Sequence, residues 1–192
     1  MFYKFSTFWL KLFFLLVFGP IKINGVQHIP KKNFILIADH QSWCDAIIYA
    51  CWLSPKCTFF FMAKKELFEG FLLGRILSHL NAFPIDRNHP TLKSLQLPID
   101  ELRNQDKSLV IFPTGSRFSN KMKPGYLMIA RRSHTPVLPA VIEKNSWGKT
   151  VINLGKPYHI ENNMNRSNIL KENKKAIECL HKNGLIGDNL IP

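Results

Sequence analysis

The chain has 192 residues, 46% of them hydrophobic, and its 26 Lys and Arg outweigh 13 Asp and Glu to give a net charge of +13 at pH 7. A chain of this length can bury a core without disulfides or structural metals, so we expect one main folded domain. The charge attracts polyanions, which include nucleic acids, anionic lipid head groups and acidic carrier proteins. Because the sequence has no helix-turn-helix pattern, RNA-binding aromatic motif or C-x2-C pair, we disfavour nucleic acid as a partner.

Residues 2–18 are almost entirely apolar and aromatic, although Lys4 and Lys11 interrupt the run and Gly19-Pro20 ends it. A membrane span needs about 20 apolar residues, so the run is short for a transmembrane helix. No small-residue cleavage signature follows it, which disfavours a signal peptide. A purely internal helix is the alternative, but we predict a helix that lies in the membrane interface. This helix would occupy residues 1–20, ahead of a domain over residues 21–192.

The rest of the chain alternates short apolar runs with helical patterns and contains no internal repeat. Such alternation predicts an α/β fold with a mixed, mostly parallel sheet flanked by helices. Residues 161–167 read as a loop, and residues 187–192 as a frayed end. The predicted strands are 33–38, 58–62, 108–112, 137–142 and 151–154, and the predicted helices are 45–53, 66–80, 92–104, 125–132 and 167–183.

Neither a disulfide framework nor a metal site is expected. Cys44, Cys51, Cys57 and Cys179 show no paired spacing, so we interpret them as reduced packing residues rather than nucleophiles. The seven histidines lack zinc-ligand spacing with acids or thiols. We therefore predict neither a metal nor another cofactor.

His40 and Asp45 form an H-x4-D pattern directly after the predicted strand 33–38. On one regular helix these two side chains would point in different directions, so we place His40 in the turn and Asp45 in the first helical turn. A carboxylate beside a histidine fixes the tautomer that accepts a proton, which predicts a general base. A capping histidine with a helix-start carboxylate is the alternative for an isolated pattern of this kind.

Two further loops carry arginines that could bind a phosphate. The loop after strand 108–112 contains Thr114, Gly115, Ser116 and Arg117, a composition suited to holding a phosphate. Arg87 follows the apolar segment 83–85, and together with Arg117 it could clamp a phosphate monoester. Taken singly, each arginine could equally be a surface charge, and Asp86 could pair with Arg87.

The order of these segments resembles the glycerolipid acyltransferase family of the PlsC type. The family's N-H-x-S-x-x-D block is matched by residues 39–45, and its F-P-E-G-T-R-S block by residues 112–119. A block ending in I-D-R is matched by 83–87, and a final apolar block with a proline by 137–141. Two positions depart from the family pattern, because Asp39 replaces Asn and Thr114 replaces Glu.

This resemblance implies that the free 2-hydroxyl of 1-acyl-sn-glycerol 3-phosphate attacks an acyl thioester to give phosphatidate. His40 would be the base, Asp45 would orient it, and Arg87 and Arg117 would hold the acceptor phosphate. The backbone amides of Gly115 and Ser116 would receive the oxyanion. The co-substrate would be acyl-coenzyme A or an acylated acyl carrier protein. Another lysophospholipid or glycerol 3-phosphate is the alternative acceptor, because Thr114 stands at a position where the family's Glu is thought to contact the acceptor.

The expected location is the cytoplasmic face of the cell membrane, in peripheral or monotopic attachment to an anionic surface. Residue usage rich in Lys, Asn and Ile fits a bacterial enzyme. A non-enzymatic basic protein that binds anionic lipid is the remaining alternative. The basic residues that could contact the membrane, or alternatively form solvated helix faces, are Lys64, Lys65, Arg75, Arg131 and Arg132.

Overall fold

The computed structural model describes residues 2–42, 44–53, 57–86, 92–104, 107–115, 121–144, 150–161 and 163–183. The helices are α1 (Phe2–Phe18), α2 (Asp45–Leu53), α3 (Phe71–His79), α4 (Leu92–Asn104), α5 (Gly125–Ser133) and α6 (Arg166–Asn183). The strands are β1 (Lys22–Asn24), β2 (Ile35–Ala38), β3 (Thr58–Lys64), β4 (Ala82–Ile85), β5 (Lys107–Ile111), β6 (Val137–Lys144) and β7 (Thr150–Leu154).

The strands form one sheet in the order β1-β7-β6-β2-β5-β3-β4. Strands β6, β2, β5, β3 and β4 are parallel neighbours, whereas β7 runs antiparallel to β6 and β1 runs parallel to β7. The predicted α/β fold with a mixed, mostly parallel sheet is therefore confirmed. The carboxyl ends of β2 and β5 are neighbours at the centre of one sheet edge.

Two strands were missed and one helix was wrong. Strands β1 and β4 lie at the two edges of the sheet, where strands are short and sequence signals are weak, and β4 contains Pro84. The predicted helix 66–80 is instead a 3-10 turn over Lys65–Phe68 followed by α3. The chain bends at Glu69 and Gly70 because glycine costs helix stability. The predicted frayed end 187–192 lies outside the described residues.

Strand β2 is buried on both faces, and successive residues enter different cores. Leu36 packs with Phe14 of α1 and Ile48 of α2 on one face of the sheet. On the other face of the sheet, Ile37 packs with Ile129 of α5 and with Ile99 of α4. Because successive side chains of β2 pack on opposite faces of the sheet, the orientation of the strand is fixed where the chain leaves the sheet after Ala38.

Helix α1 has one face in the core and an apolar face in contact with solvent. Tyr3, Thr7 and Phe14 are buried, and the Tyr3 hydroxyl accepts a hydrogen bond from the Phe59 amide at 3.1 Å. None of the described helices is both long and apolar enough to span a membrane. The exposed large apolar residues of α1 are Phe5, Phe8, Trp9, Leu12, Phe13, Leu15, Leu16 and Val17.

Candidate active site

The His40 and Asp45 side chains meet where β2 gives way to α2. His40 Nδ1 lies 3.2 Å from Asp45 Oδ2, and Asp45 is the first residue of α2. The chain thus places the histidine in the turn and the aspartate at the start of the helix, as the spacing predicts. Asp45 is buried at 2% exposure, whereas 17% of the His40 side chain remains accessible.

Asp45 Oδ2 is held by the backbone of the same turn. It accepts hydrogen bonds from the Gln41 amide at 2.8 Å and the Ser42 amide at 2.6 Å, in addition to its contact with His40. A carboxylate can only accept, so this network assigns the Nδ1 proton to His40 and leaves its Nε2 as an acceptor. Nε2 is the atom that can remove a proton from a substrate.

Phe112, the first residue after β5, stacks on the imidazole of His40. The two ring centroids are 4.2 Å apart and the planes differ by 21°. The ring is therefore restrained by Asp45 through Nδ1 and by Phe112 on one face. Parallel pairing of β2 with β5 brings these two residues together at the same sheet edge.

His40 and Phe112 border a cavity of about 740 Å³, a size typical of small-ligand sites. Most of its wall is apolar and comes from both halves of the chain. The remaining apolar lining residues are Met62, Ile85, Leu95, Ile111, Pro113, Pro124, Tyr126, Leu127 and Met128. Such a wall can accommodate a hydrocarbon chain next to a proton acceptor.

Among the described residues, four basic side chains also line the cavity, namely Lys123, Arg131, Arg132 and Arg166. The Arg131 guanidinium donates to the Glu161 carbonyl at 3.1 Å and the Met164 carbonyl at 2.6 Å, which ties α5 to the loop before α6. Lys123 is exposed, and its Nζ lies 3.3 Å from the position that a Cβ on Gly115 would take. The ammonium therefore packs against the glycine of the 112–119 block.

The structure describes only part of the predicted phosphate and oxyanion site. Arg87, Ser116 and Arg117 lie outside the described residues, whereas Thr114 and Gly115 form the turn after β5. Gly115 has φ +70°, a conformation that favours glycine. Its amide donates to the Phe112 carbonyl at 2.9 Å. The assignment of the Gly115 and Ser116 amides to the oxyanion stays a prediction.

Sequence reasoning missed Phe112 and Lys123 as site residues, although both lie close to the recognised blocks. An aromatic residue directly after a buried strand is an ordinary core feature, so nothing distinguished Phe112. Lys123 was one of many lysines, and no sequence pattern indicates that its amide donates to the Pro113 carbonyl at 2.7 Å, a bond that brings it to the turn.

The cysteines are free: Cys44 and Cys51 are buried, and Cys57 and Cys179 are half-buried. Burial raises the pKa of the Cys51 thiol to about 12, despite the opposing effect of Lys11, which makes this thiol a poor nucleophile. Cys44 Sγ is 3.2 Å from Ser42 Oγ beside the site. Among the described residues, no cluster of histidine, cysteine and acidic side chains could hold a metal ion.

Comparison with known proteins gives matches of sequence and fold. The acyltransferase family model matches residues 20–143. The 1-acyl-sn-glycerol-3-phosphate acyltransferase of Streptococcus pneumoniae is 34% identical over 189 residues, which cover 94% of this chain and 69% of that protein. The enzyme of the same name from Bacillus subtilis is 33% identical over 157 residues, covering 80% of this chain and 77% of that one.

Among solved structures, the crystal structure of PlsC, the 1-acyl-sn-glycerophosphate acyltransferase from Thermotoga maritima, matches with a TM-score of 0.71 at 25% sequence identity. The match covers 93% of this chain and 81% of that chain. The predicted PlsC-type resemblance is confirmed, and the non-enzymatic alternative is set aside. The chain belongs to the acyltransferase family and is an enzyme that transfers acyl groups.

Proposed function

We propose that this enzyme transfers a fatty acyl group from a thioester to the free 2-hydroxyl of 1-acyl-sn-glycerol 3-phosphate, which gives phosphatidate. The observation that carries the proposal is the His40–Asp45 pair at the border of a cavity with an apolar wall and several basic side chains. A substrate with a hydrocarbon chain, a hydroxyl and a phosphate matches these three features. The names of the relatives from Streptococcus pneumoniae and Bacillus subtilis support the same acceptor.

In this mechanism, His40 Nε2 accepts the hydroxyl proton while the hydroxyl oxygen attacks the thioester carbon. Asp45 holds Nδ1–H and stabilises the imidazolium that forms. The tetrahedral intermediate collapses by breaking the carbon–sulfur bond, and His40 returns its proton to the departing thiolate. The acceptor is itself the nucleophile, so neither Ser42 nor Cys44 forms an acyl intermediate.

The cations at the cavity would bind the acceptor phosphate. Lys123 and Arg166 join the predicted Arg87 and Arg117 as candidate ligands, whereas Arg131 is already engaged with two backbone carbonyls. Thr114, which stands where the family has a glutamate, stays a candidate contact to the acceptor. Glycerol 3-phosphate or another lysophospholipid remains the alternative acceptor. Either acyl-coenzyme A or an acylated carrier protein could supply the acyl group, because both are anionic and carry a thioester.

We further propose that α1 holds the enzyme on the cytoplasmic face of the membrane, where the acceptor resides. The helix exposes aromatic and aliphatic side chains along its length, including Phe8, Trp9, Phe13 and Leu16, with exposed fractions of 62%, 54%, 59% and 82%. In water this face would be a costly apolar patch, whereas an acyl–head-group boundary would cover it. The net charge of +13 would add attraction to anionic lipids.

The proposed reaction is tested by acyl transfer from labelled acyl carrier protein or acyl-coenzyme A to 1-acylglycerol 3-phosphate in detergent micelles. Removing the base with His40→Ala should lower kcat by about 10²- to 10⁴-fold. The matched control is His159→Ala, because His159 is an exposed histidine that does not line the cavity. Comparable turnover of His40→Ala and wild type would refute the role of His40. No wild-type turnover with either donor would refute the acceptor, and glycerol 3-phosphate would be tried next.

The membrane proposal is tested separately by flotation with vesicles of phosphatidylcholine and phosphatidylglycerol. The double variant Phe8→Gln/Phe13→Gln should reduce the vesicle-bound fraction, because it places two polar groups on the exposed face of α1. Leu97→Gln is the control, since Leu97 is an exposed leucine on α4. Equal binding of the α1 variant and wild type would contradict the proposal.

A further inference from the structure

Asp39, the residue before the base, is joined to a histidine from the far end of the chain. His181 Nε2 lies 3.0 Å from Asp39 Oδ2, and His181 belongs to the last turns of α6. The same Asp39 oxygen accepts a hydrogen bond from the Gln41 side-chain amide at 2.5 Å. The carboxylate thus links α6 to the turn that carries His40.

The second ring nitrogen of His181 also faces a carboxylate. His181 Nδ1 is 3.5 Å from Glu143 Oε1 on β6, and the other oxygen of Glu143 accepts from Asn153 Nδ2 at 3.1 Å. Asn153 is buried on β7 and also donates to the Leu180 carbonyl at 3.4 Å, one residue before the histidine. The ring is therefore fixed from both sides and by the backbone next to it.

A histidine that donates through both nitrogens to carboxylates is stabilised as the cation. The Asp39 hydrogen bond raises the pKa of His181, and both carboxylates add to this, whereas partial burial opposes it. With His181 protonated, the cluster carries two negative charges and one positive charge. Without the imidazolium, the charge of Asp39 would keep the hydrogen bond from the Gln41 side chain but would lose its cationic partner.

Asp39 precedes His40 in the chain and is linked to the turn of the base through Gln41. Gln41 binds Asp39 with its side chain and Asp45 with its backbone amide, so one residue connects the two carboxylates. Burial raises the pKa of Tyr49, and the negative charges of Asp39 and Asp45 both add to the rise. An additional unpaired carboxylate here would favour the imidazolium form of His40, which cannot accept a proton.

We propose that His181 is a positioning residue for acyl transfer. Through its contact with Asp39, His181 holds the turn that carries His40 and balances the negative charge of Asp39. The inference rests on the proposed function of His40 as the base. Among the described residues, the charged groups in contact with His181 are Asp39, which follows β2, and Glu143 of β6. The neutral Asn153 of β7 contacts Glu143 and the Leu180 carbonyl. On α6 itself, Glu178 is paired with Lys174 at 3.9 Å, and Lys182 follows the histidine.

The experiment measures kcat/KM for 1-acylglycerol 3-phosphate between about pH 5 and about pH 9, where a bell-shaped profile reports the essential base. The proteins are wild type, His181→Gln, His181→Arg, Asp39→Asn and the double variant Asp39→Asn/His181→Gln. Removing the cation should move the midpoint of the acid limb upward by about 0.5 pH. His181→Arg should keep the wild-type midpoint because it keeps a positive charge and donors. The control His159→Gln removes an exposed histidine elsewhere.

In the Asp39→Asn background, His181→Gln should cause no upward movement, because the charge that His181 balances is gone. An unmoved acid limb in His181→Gln, or an equal movement with and without Asp39, would overturn the inference. Absence of wild-type transfer would instead refute the proposed function, so the two failures are distinguishable.

Thermal unfolding supplies a second readout that does not need turnover. The folded-state pKa of His181 is raised, so its stabilising effect is complete below the unfolded value of about 6.5 and is lost as pH rises through the folded value. The Tm difference between wild type and His181→Gln should be larger at about pH 6 than at about pH 9. Equal differences at the two pH values would show that the ring contributes only shape, and would contradict the charge-balancing role.

Discussion

The turn after β2 and the turn after β5 leave the same sheet edge side by side, but they are held in different ways. In the first, two backbone amides and the His40 ring converge on Asp45, so the six consecutive residues 40–45 determine the geometry of the imidazole. In the second, Gly115 has a left-handed backbone conformation, and the Lys123 amide donates to the Pro113 carbonyl to close the turn. The side chain of Lys123 is exposed. The chemistry is encoded locally, whereas the charged part of the cavity is assembled from distant segments.

Replacing the buried carboxylate should give the largest effect. In Asp45→Asn the side chain loses its charge, and its single acceptor oxygen must be shared among two amides and the ring. We expect kcat to fall by about 10²- to 10⁴-fold, measured by acyl transfer with the fold checked by circular dichroism. Asp100→Asn is the control, because Asp100 is an exposed carboxylate on α4 that accepts a hydrogen bond from the Gln96 side chain. A loss smaller than about threefold would mean that the turn alone orients His40.

The contrast between the two turns also explains which parts of the site the sequence predicts. The His40–Asp45 contact follows from a strand, a turn and a helix start within one short segment, so spacing alone is informative. The cations from Lys123 and Arg166 reach the cavity only after β5, α5 and α6 have packed, and no local pattern marks them. The bond between Asp39 and His181 joins positions 142 residues apart, which no single-sequence pattern could indicate.

A similar division holds for the fold. The central strands were predicted because they are buried on both faces and read as continuous apolar runs, as in β2. The edge strands β1 and β4 were missed because pairing, rather than apolar content, makes them strands. Helix α1 was recognised as a helix, but only the structure shows that Tyr3 and Phe14 enter the core while Phe8 and Phe13 do not.

The variant Lys123→Gln tests whether the turn after β5 takes part in binding the acceptor. If this ammonium binds the acceptor phosphate, its removal should raise KM for 1-acylglycerol 3-phosphate about tenfold and change kcat little, since one charge-assisted hydrogen bond contributes roughly 1.5–3 kcal/mol. Steady-state kinetics at varied acceptor concentration measures both constants. Lys171→Gln serves as the control, because Lys171 is an exposed lysine on α6 that does not line the cavity. A fall in kcat without a change in KM would contradict a binding role.

The stacking of Phe112 on His40 connects the two turns and should contribute less than either. In Phe112→Leu an apolar side chain remains, but the flat surface against the imidazole is lost. Because ring stacking contributes about 0.5–1.5 kcal/mol, we expect kcat to fall about two- to tenfold. Phe83→Leu, on β4 next to Phe60, is a matched change of volume at a half-buried position. Equal losses in the two variants would assign the effect to packing rather than to the histidine.

The smallest effect is expected at Tyr49, a buried residue of α2, the helix that begins at Asp45. Its hydroxyl is fully buried and has no hydrogen-bond partner among the described residues, and burial raises its pKa well above the ordinary value, with Asp39 and Asp45 adding to the rise. Removing an unsatisfied buried hydroxyl relieves a desolvation cost, so Tyr49→Phe should raise the free energy of unfolding by about 1 kcal/mol and leave kcat unchanged. Denaturant unfolding of the two proteins in the same detergent measures the difference. Destabilisation by Tyr49→Phe would show that the hydroxyl has a partner and that the His40 turn depends on α2 as well as on its own backbone.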